Sequence, residues 1–375
     1  MIALRADLVF DGSRLLPNEV VVIDGDRVVR VGAGVRDGTP IEDLSPGAIL
    51  VPGFVDLQVN GAGGVLFNAE PTVAGLARIG DALARCGTTS FLPTLISARP
   101  LFDAAERAVS AALADPLSGV VGVHLEGPFI NPARHGTHPL DAIQTMTATD
   151  ATRLAPNAGW PRMVTLAPEM VDQALLTQIV TGAACVFAGH TDATAQQAAD
   201  GFATGIVGAT HLFNAMSQLN SRAPGVVGAT LDAVGAVASI IVDGIHVDPL
   251  CVRIAHAALG PERLFLVSDS MPTAASETTS FTFKGETIEL VDGRLLDANG
   301  SLAGAHLTMA EAVRNAVHLC GLPLLDALAM ATATPAEVIG LTDRGRIAVG
   351  CRADLVALDG NLRVHAVWRA GVRLV

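Results

Sequence analysis

The chain has 375 residues, half of them hydrophobic and only 16% charged, so it can build a sizeable core. Its formal net charge of −13 excludes the basic face that a nucleic-acid partner requires. Five cysteines (86, 185, 251, 320 and 351) stand far apart with no CxxC pair, which reads as free thiols in a reducing, cytoplasmic setting.

The N-terminus, MIALRADLVFDGS, carries Arg5 and Asp7 and has no uninterrupted apolar stretch of the kind a signal peptide needs. Residues 1–51 read as short strands and turns: ADLVFDG, EVVVIDGDRVVRVG and GAILVPG. Residues 343–375 share that texture, so both ends of the chain read as β. Between them, residues 52–342 alternate. Eight apolar strands are GFVDLQVNG, TTSFLPTLIS, SGVVGVHLEGP, RMVTLAPE, ACVFAGHTDA, GIVGATHLFNA, AVASIIVDGIHVD and RLFLVSDSM. Helical patterns lie between many of them. EPTVAGLARIGDALARCG and TAQQAADGFATG stop at Gly, and DPLCVRIAHAALG opens with a capping Asp and a Pro in the first turn. This spells an α/β fold, a (β/α)8 TIM-like barrel. A doubly wound open sheet is the rival, but no Gly-rich phosphate fingerprint follows the first strand. Residues 276–306 break the alternation as a β excursion. The most apolar run, VGAVASIIV, is about half of a membrane span, so no membrane partner is expected.

Several strands end in groups that bind metals or move protons. The third gives His124 and Glu126, the fifth His190, the sixth His211, the seventh Asp243 and His246, the eighth Asp269. A barrel gathers the C-terminal ends of its strands on one face. Two His and a carboxylate suit a catalytic divalent ion, and a further Asp suits a general base. A lone His at a strand end is more often structural; several at equivalent positions are not so easily dismissed. Of His124 and Glu126, which share a face, one is the ligand and the other orients it. The loop HGTHP places Thr137 and His138 over the mouth. Arg222, a loop cation in a chain poor in them, suits an anionic group. His256, His318 and His365 do not cluster and read as structural.

The ordered blocks PGFVDLQVNG, GVHLEGPFINP, GHTDAT, THLFNAM, APGVVG, DGIHVD, VSDSMP and LAGAHLTM cover nearly the whole chain. The sequence carrying them resembles the N-acetylglucosamine-6-phosphate deacetylases of the amidohydrolase superfamily. The resemblance implies the barrel with its terminal β-sandwich. It implies one divalent metal per subunit (Zn, with Fe, Co or Mn as alternatives) on Glu126, His190 and His211. It makes Asp269 the catalytic acid–base, and His138, Thr137, Asn214, Ala215, Leu302, Ala303 and Gly304 the substrate contacts. Arg222 and His246 would bind the sugar phosphate, one of them from a neighbouring subunit, which implies a homodimer. The reaction implied is hydrolysis of N-acetylglucosamine 6-phosphate to glucosamine 6-phosphate and acetate, in amino-sugar metabolism. The loops around Asp269 and Gly304 differ from those of some members, so the galactosamine epimer, or another amidohydrolase reaction, stays open. A non-catalytic binding protein would lack the ligands and the Asp, and both are intact.

Many amidohydrolases end their first barrel strand in His-x-His, which helps hold a second metal. Here Gln58 and Asn60 stand there, and neutral amides are poor ligands for a transition metal. DLQVNG therefore predicts a single-metal site, with Gln58 contacting a water near the ion and Asp56 anchoring the strand.

Overall fold

A computed structural model describes residues 1–375 apart from 36, 37, 157 and 183. Eight parallel strands pair in sequence order: Phe54–Val59, Thr88–Ile96, Val123–Glu126, Arg162–Leu166, Ala184–Ala188, Gly208–Ala209, Val237–Ile240 and Leu264–Leu266. These are the eight strands expected from the sequence. They are rich in Val, Leu, Phe and Ala because the bore covers one face and the outer helices cover the other.

The helices begin and end on local chemistry. Ala195–Thr204 opens at Thr194, whose hydroxyl accepts from Gln197 N while the Gln197 side chain returns to Thr194 N; it stops at Gly205, with φ +126°. Pro249–Leu259 opens on capping Asp248 with Pro in the first turn and stops at Gly260. No helix among the described residues is long and apolar enough to cross a membrane.

Two further sheets lie outside the barrel, one drawing strands from both chain ends and one from the N-terminal part alone. The six-stranded one pairs Ile49–Pro52 from the N-terminal part with Leu355–Leu358 from the C-terminal part. The four-stranded one comprises Ile2–Arg5, Val20–Asp24, Arg27–Gly32 and Ile41–Asp43. Leu4, Val9, Val21, Leu50, Leu355 and Trp368 share the core of this second unit. The excursion after the eighth strand is an antiparallel sheet: Ser280–Phe283, Glu286–Val291, Arg294–Leu296 and Leu302–Ala305. Its Phe283, Ile288 and Leu295 pack on Leu66, Ile96 and Met271. Its last strand ties to the barrel mouth, where Ala305 N donates to Asp269 O at 2.9 Å.

The seam between the first and eighth strands is closed by a side chain. Asp56 points inward and accepts from Ser268 N and Gln58 N, both at 3.2 Å, and from the Ser268 hydroxyl. Beyond it, Asn60 N and Gly61 N both donate to Ser270 O at 3.0 Å. Burial pushes the Asp56 carboxyl up to about 7, with Ser268 and Gln58 pulling it back. A folded value above the ordinary 3.8 means that its contribution to stability is complete below pH about 4 and is lost as pH rises through 7. Asp56→Asn keeps the two N–H bonds on its oxygen, reverses the third so that its amide donates to the Ser268 hydroxyl, and removes the titration. Its stability relative to the wild type should therefore grow between pH 5 and 8 in denaturant melts; a constant difference contradicts the raised carboxyl. Asp56→Ala, which orphans the seam donors, should cost on the order of 3 kcal/mol.

Candidate active site

The strand ends converge as expected. Glu126 closes the third strand, His190 and His211 follow the fifth and sixth by two residues, and Asp269 follows the eighth. His190, His211 and Asp269 hold φ of +49°, +34° and +48°. Residues with a Cβ seldom adopt that conformation, and it turns each side chain from the strand line into the mouth.

Three atoms form the centre. Glu126 Oε1 lies 3.1 Å from His211 Nε2 and 3.3 Å from His190 Nε2, and the two imidazole nitrogens are 3.1 Å apart. Ligands at about 2.0–2.1 Å from one tetrahedral ion stand about 3.3–3.4 Å from each other, so this spacing fits a divalent metal. His190 Nδ1 donates to Arg134 O at 2.9 Å, which leaves Nε2 with its lone pair. His138 approaches from the other side, with Nε2 3.7 Å from Glu126 Oε2. By spacing alone Glu126, His138 and His190 also form a possible ligand group.

Asn60 lines the cavity, and Gln58 is buried beside it. Gln58 Nε2 donates to Glu126 Oε1 at 2.9 Å and to Asp269 Oδ1 at 3.1 Å. Asn60 Nδ2 donates to the same Asp269 oxygen at 2.7 Å. Gln58, expected to reach a water, thus bonds both carboxylates directly. Burial works to raise Glu126, but the close imidazoles of His138, His190 and His211 outweigh it and hold the carboxyl well below its usual range. Burial, then the charge of Glu126, push Asp269 up to about 6 against the pull of His211 and Asn60. Burial would lower His211, but its bond to Glu126 and the charges of Glu126 and Asp269 raise it on balance.

His124, the other candidate on the third strand, lies deeper. Its ring bridges Thr94 Oγ1 (3.3 Å) and Thr165 Oγ1 (2.8 Å), and burial lowers it to about 4. It braces the bore beneath the cluster. Asp243 is spent on its own loop: it accepts from Ile245 N and His246 N at 2.8 Å and meets His246 Nδ1 at 2.6 Å.

Thr137, His138, Asn214, Ala215, His246, Leu302 and Gly304 line the same cavity as Glu126 and Asp269. Ala303, between two of these, is buried under the excursion instead. Arg222 lies apart, in a separate groove beside Arg134 and Asp192. Ile96, Ile241 and Met271 complete the cavity wall and were not singled out in the sequence, because an apolar side chain carries no chemical signal there. Met271 alone had a positional one, two residues beyond Asp269. Ser97, which bonds His138, was also missed.

The amidohydrolase family pattern matches residues 49–374. The N-acetylgalactosamine-6-phosphate deacetylase of Shewanella sp. (strain ANA-3) is 40% identical over 86% of this chain and 82% of its own. The solved N-acetylglucosamine-6-phosphate deacetylase from Pasteurella multocida is 34% identical, with a TM-score of 0.95 over 99% of this chain and 98% of that one. That of Mycobacterium smegmatis is 36% identical, with a TM-score of 0.91 over 100% and 99%. It was solved as an aspartate-to-alanine variant in complex with N-acetyl-D-glucosamine-6-phosphate. On this match over nearly its whole length, the chain belongs to the amidohydrolase family.

Proposed function

We propose that this chain hydrolyses N-acetylglucosamine 6-phosphate to glucosamine 6-phosphate and acetate. The observation that carries the reading is Asp269, a carboxylate raised towards neutrality and tied through Gln58 to the Glu126–His190–His211 cluster in one cavity. In this reading the cluster holds one divalent ion; Zn suits the ligands, as do Fe, Co and Mn. When bound, that ion polarises a carbonyl and acidifies a water. Asp269 Oδ1 is taken by Gln58 and Asn60, so Oδ2 is the oxygen that accepts the proton of the attacking water. It then returns the proton to the sugar nitrogen, because an amine leaves poorly unless protonated.

In this reading His138 faces the acetamide and Asn214, Ala215, Thr137, Leu302 and Gly304 surround the sugar, all lining one cavity, while Ala303 packs on the apolar side of the same strand. His246, held by Asp243, meets the phosphate. Arg222 lines a different groove of its own chain, which favours a homodimer in which it serves the phosphate of a second copy. Five free thiols suit a cytoplasmic setting. The galactosamine epimer remains the second reading, because the Shewanella relative at 40% identity is named for it.

Acetate release measured on both sugar phosphates decides between them: the glucosamine substrate should have the higher kcat/KM. Activity on neither overturns the deacetylase reading. Metal analysis should find the ion lost from Glu126→Ala and His211→Ala but kept in His138→Gln; loss in all three would mean that His138 is a ligand. Asp269→Asn should retain the ion and lose roughly 10²–10⁴ in kcat; near wild-type turnover removes it from proton transfer. Arg222→Ala should raise KM on the order of tenfold or more, and an unchanged KM excludes it from the phosphate site.

A further inference from the structure

His138 and His190 stand side by side, ring centroids 4.2 Å apart, and both face Glu126. Spacing does not say which is a ligand; the hydrogen bond on the far nitrogen does. His190 Nδ1 meets the Arg134 carbonyl, which can only accept, so Nδ1 carries the proton and Nε2 offers a lone pair. His138 Nδ1 meets the Ser97 hydroxyl at 2.6 Å, which can donate or accept. Ser97 is fully buried, and its hydroxyl has no other hydrogen-bond partner among the described residues. If Nδ1 donated to it, the hydroxyl proton would be buried without an acceptor. The hydroxyl therefore donates, Nδ1 holds the lone pair, and the proton of the neutral ring resides on Nε2.

We propose that Ser97 is a positioning residue that fixes this tautomer, making His138 Nε2–H a hydrogen-bond donor to the acetamide carbonyl oxygen rather than a metal ligand. The proposal rests on the deacetylase reading for its substrate. Negative charge grows on that oxygen during attack, where a preset donor stabilises it most.

The surroundings are built for this bond. Ser97 ends the second strand as His190 and His211 end theirs, and it too holds a positive φ, +22°. Its N–H donates to Glu126 O at 2.8 Å, fixing it to the ligand strand. Gly127 leaves the space: a Cβ there would lie 2.4 Å from Ser97 Oγ and 3.4 Å from His138 Nδ1.

The test is a long-range ¹H–¹⁵N spectrum of the zinc-loaded enzyme labelled in histidine, with His138 assigned by its loss in His138→Gln. We expect a protonated Nε2 and a bare Nδ1 in the wild type. Ser97→Ala should shift that tautomer and lower kcat roughly 10–100-fold with little change in KM, and Ser97→Thr, which keeps the hydroxyl, should restore both. A protonated Nδ1 in the wild type overturns the proposal, as does a Ser97→Ala protein with an unchanged tautomer. If Ser97→Ala does not fold, the wild-type spectrum still decides. Absence of acetate release by the wild type would overturn the deacetylase reading separately, leaving the tautomer result intact.

Discussion

Glu126 and Asp269 are two buried carboxylates that share one amide, the side chain of Gln58. Burying one carboxylate is costly, and burying two together adds their repulsion. The barrel mouth resolves this by giving each acid a different environment. Glu126 is surrounded by His138, His190 and His211 and stays ionised. Asp269 accepts from the amides of Gln58 and Asn60 and is pushed towards neutrality. Two acids whose environments separate their proton affinities can take two roles, one as ligand and one as proton carrier.

The fold serves that arrangement through the ends of its strands. Left-handed turns at His190, His211 and Asp269 aim side chains from three strands at one cavity, and a fourth at Ser97 turns its hydroxyl to His138 behind it. A third buried acid, Asp56, acts below them as the pin that holds the eighth strand to the first. Asp269 and Gln58 come from the two strands that this pin joins, so the seam also sets the distance between the Asp269 carboxylate and the Gln58 amide. The excursion bonds Asp269 O through Ala305 N and brings Leu302 and Gly304 to the cavity. Closure of the barrel, position of the base and cover of the substrate side are thus one connected set of contacts.

Much of this was legible because it is written in periodic and chemical signals. The eight strands stood out as apolar runs between Gly and Pro turns. Asp248 and Gly205 marked helix ends by capping chemistry that acts locally. The ligand cluster was legible because imidazoles and carboxylates are rare at the ends of greasy strands. Other features depend on distances no single sequence prints. His124 and Glu126 share a strand face, and only packing shows that Thr94 and Thr165 claim the first. Gln58 was readable as a polar group on the floor, but its bridge spans 68 residues to Glu126 and 211 to Asp269. Ser97 looks like any buried serine until His138 folds back over it. Ile96 and Ile241 are indistinguishable in sequence from core residues.

The most direct test is a crystal structure of the zinc-loaded protein with anomalous diffraction recorded across the zinc edge. The account requires one anomalous peak within about 2.0–2.3 Å of Glu126, His190 Nε2 and His211 Nε2, with Gln58 still bonded to Asp269. A second ion held at Gln58 and Asn60, or a single ion that takes His138 in place of His211, would contradict it.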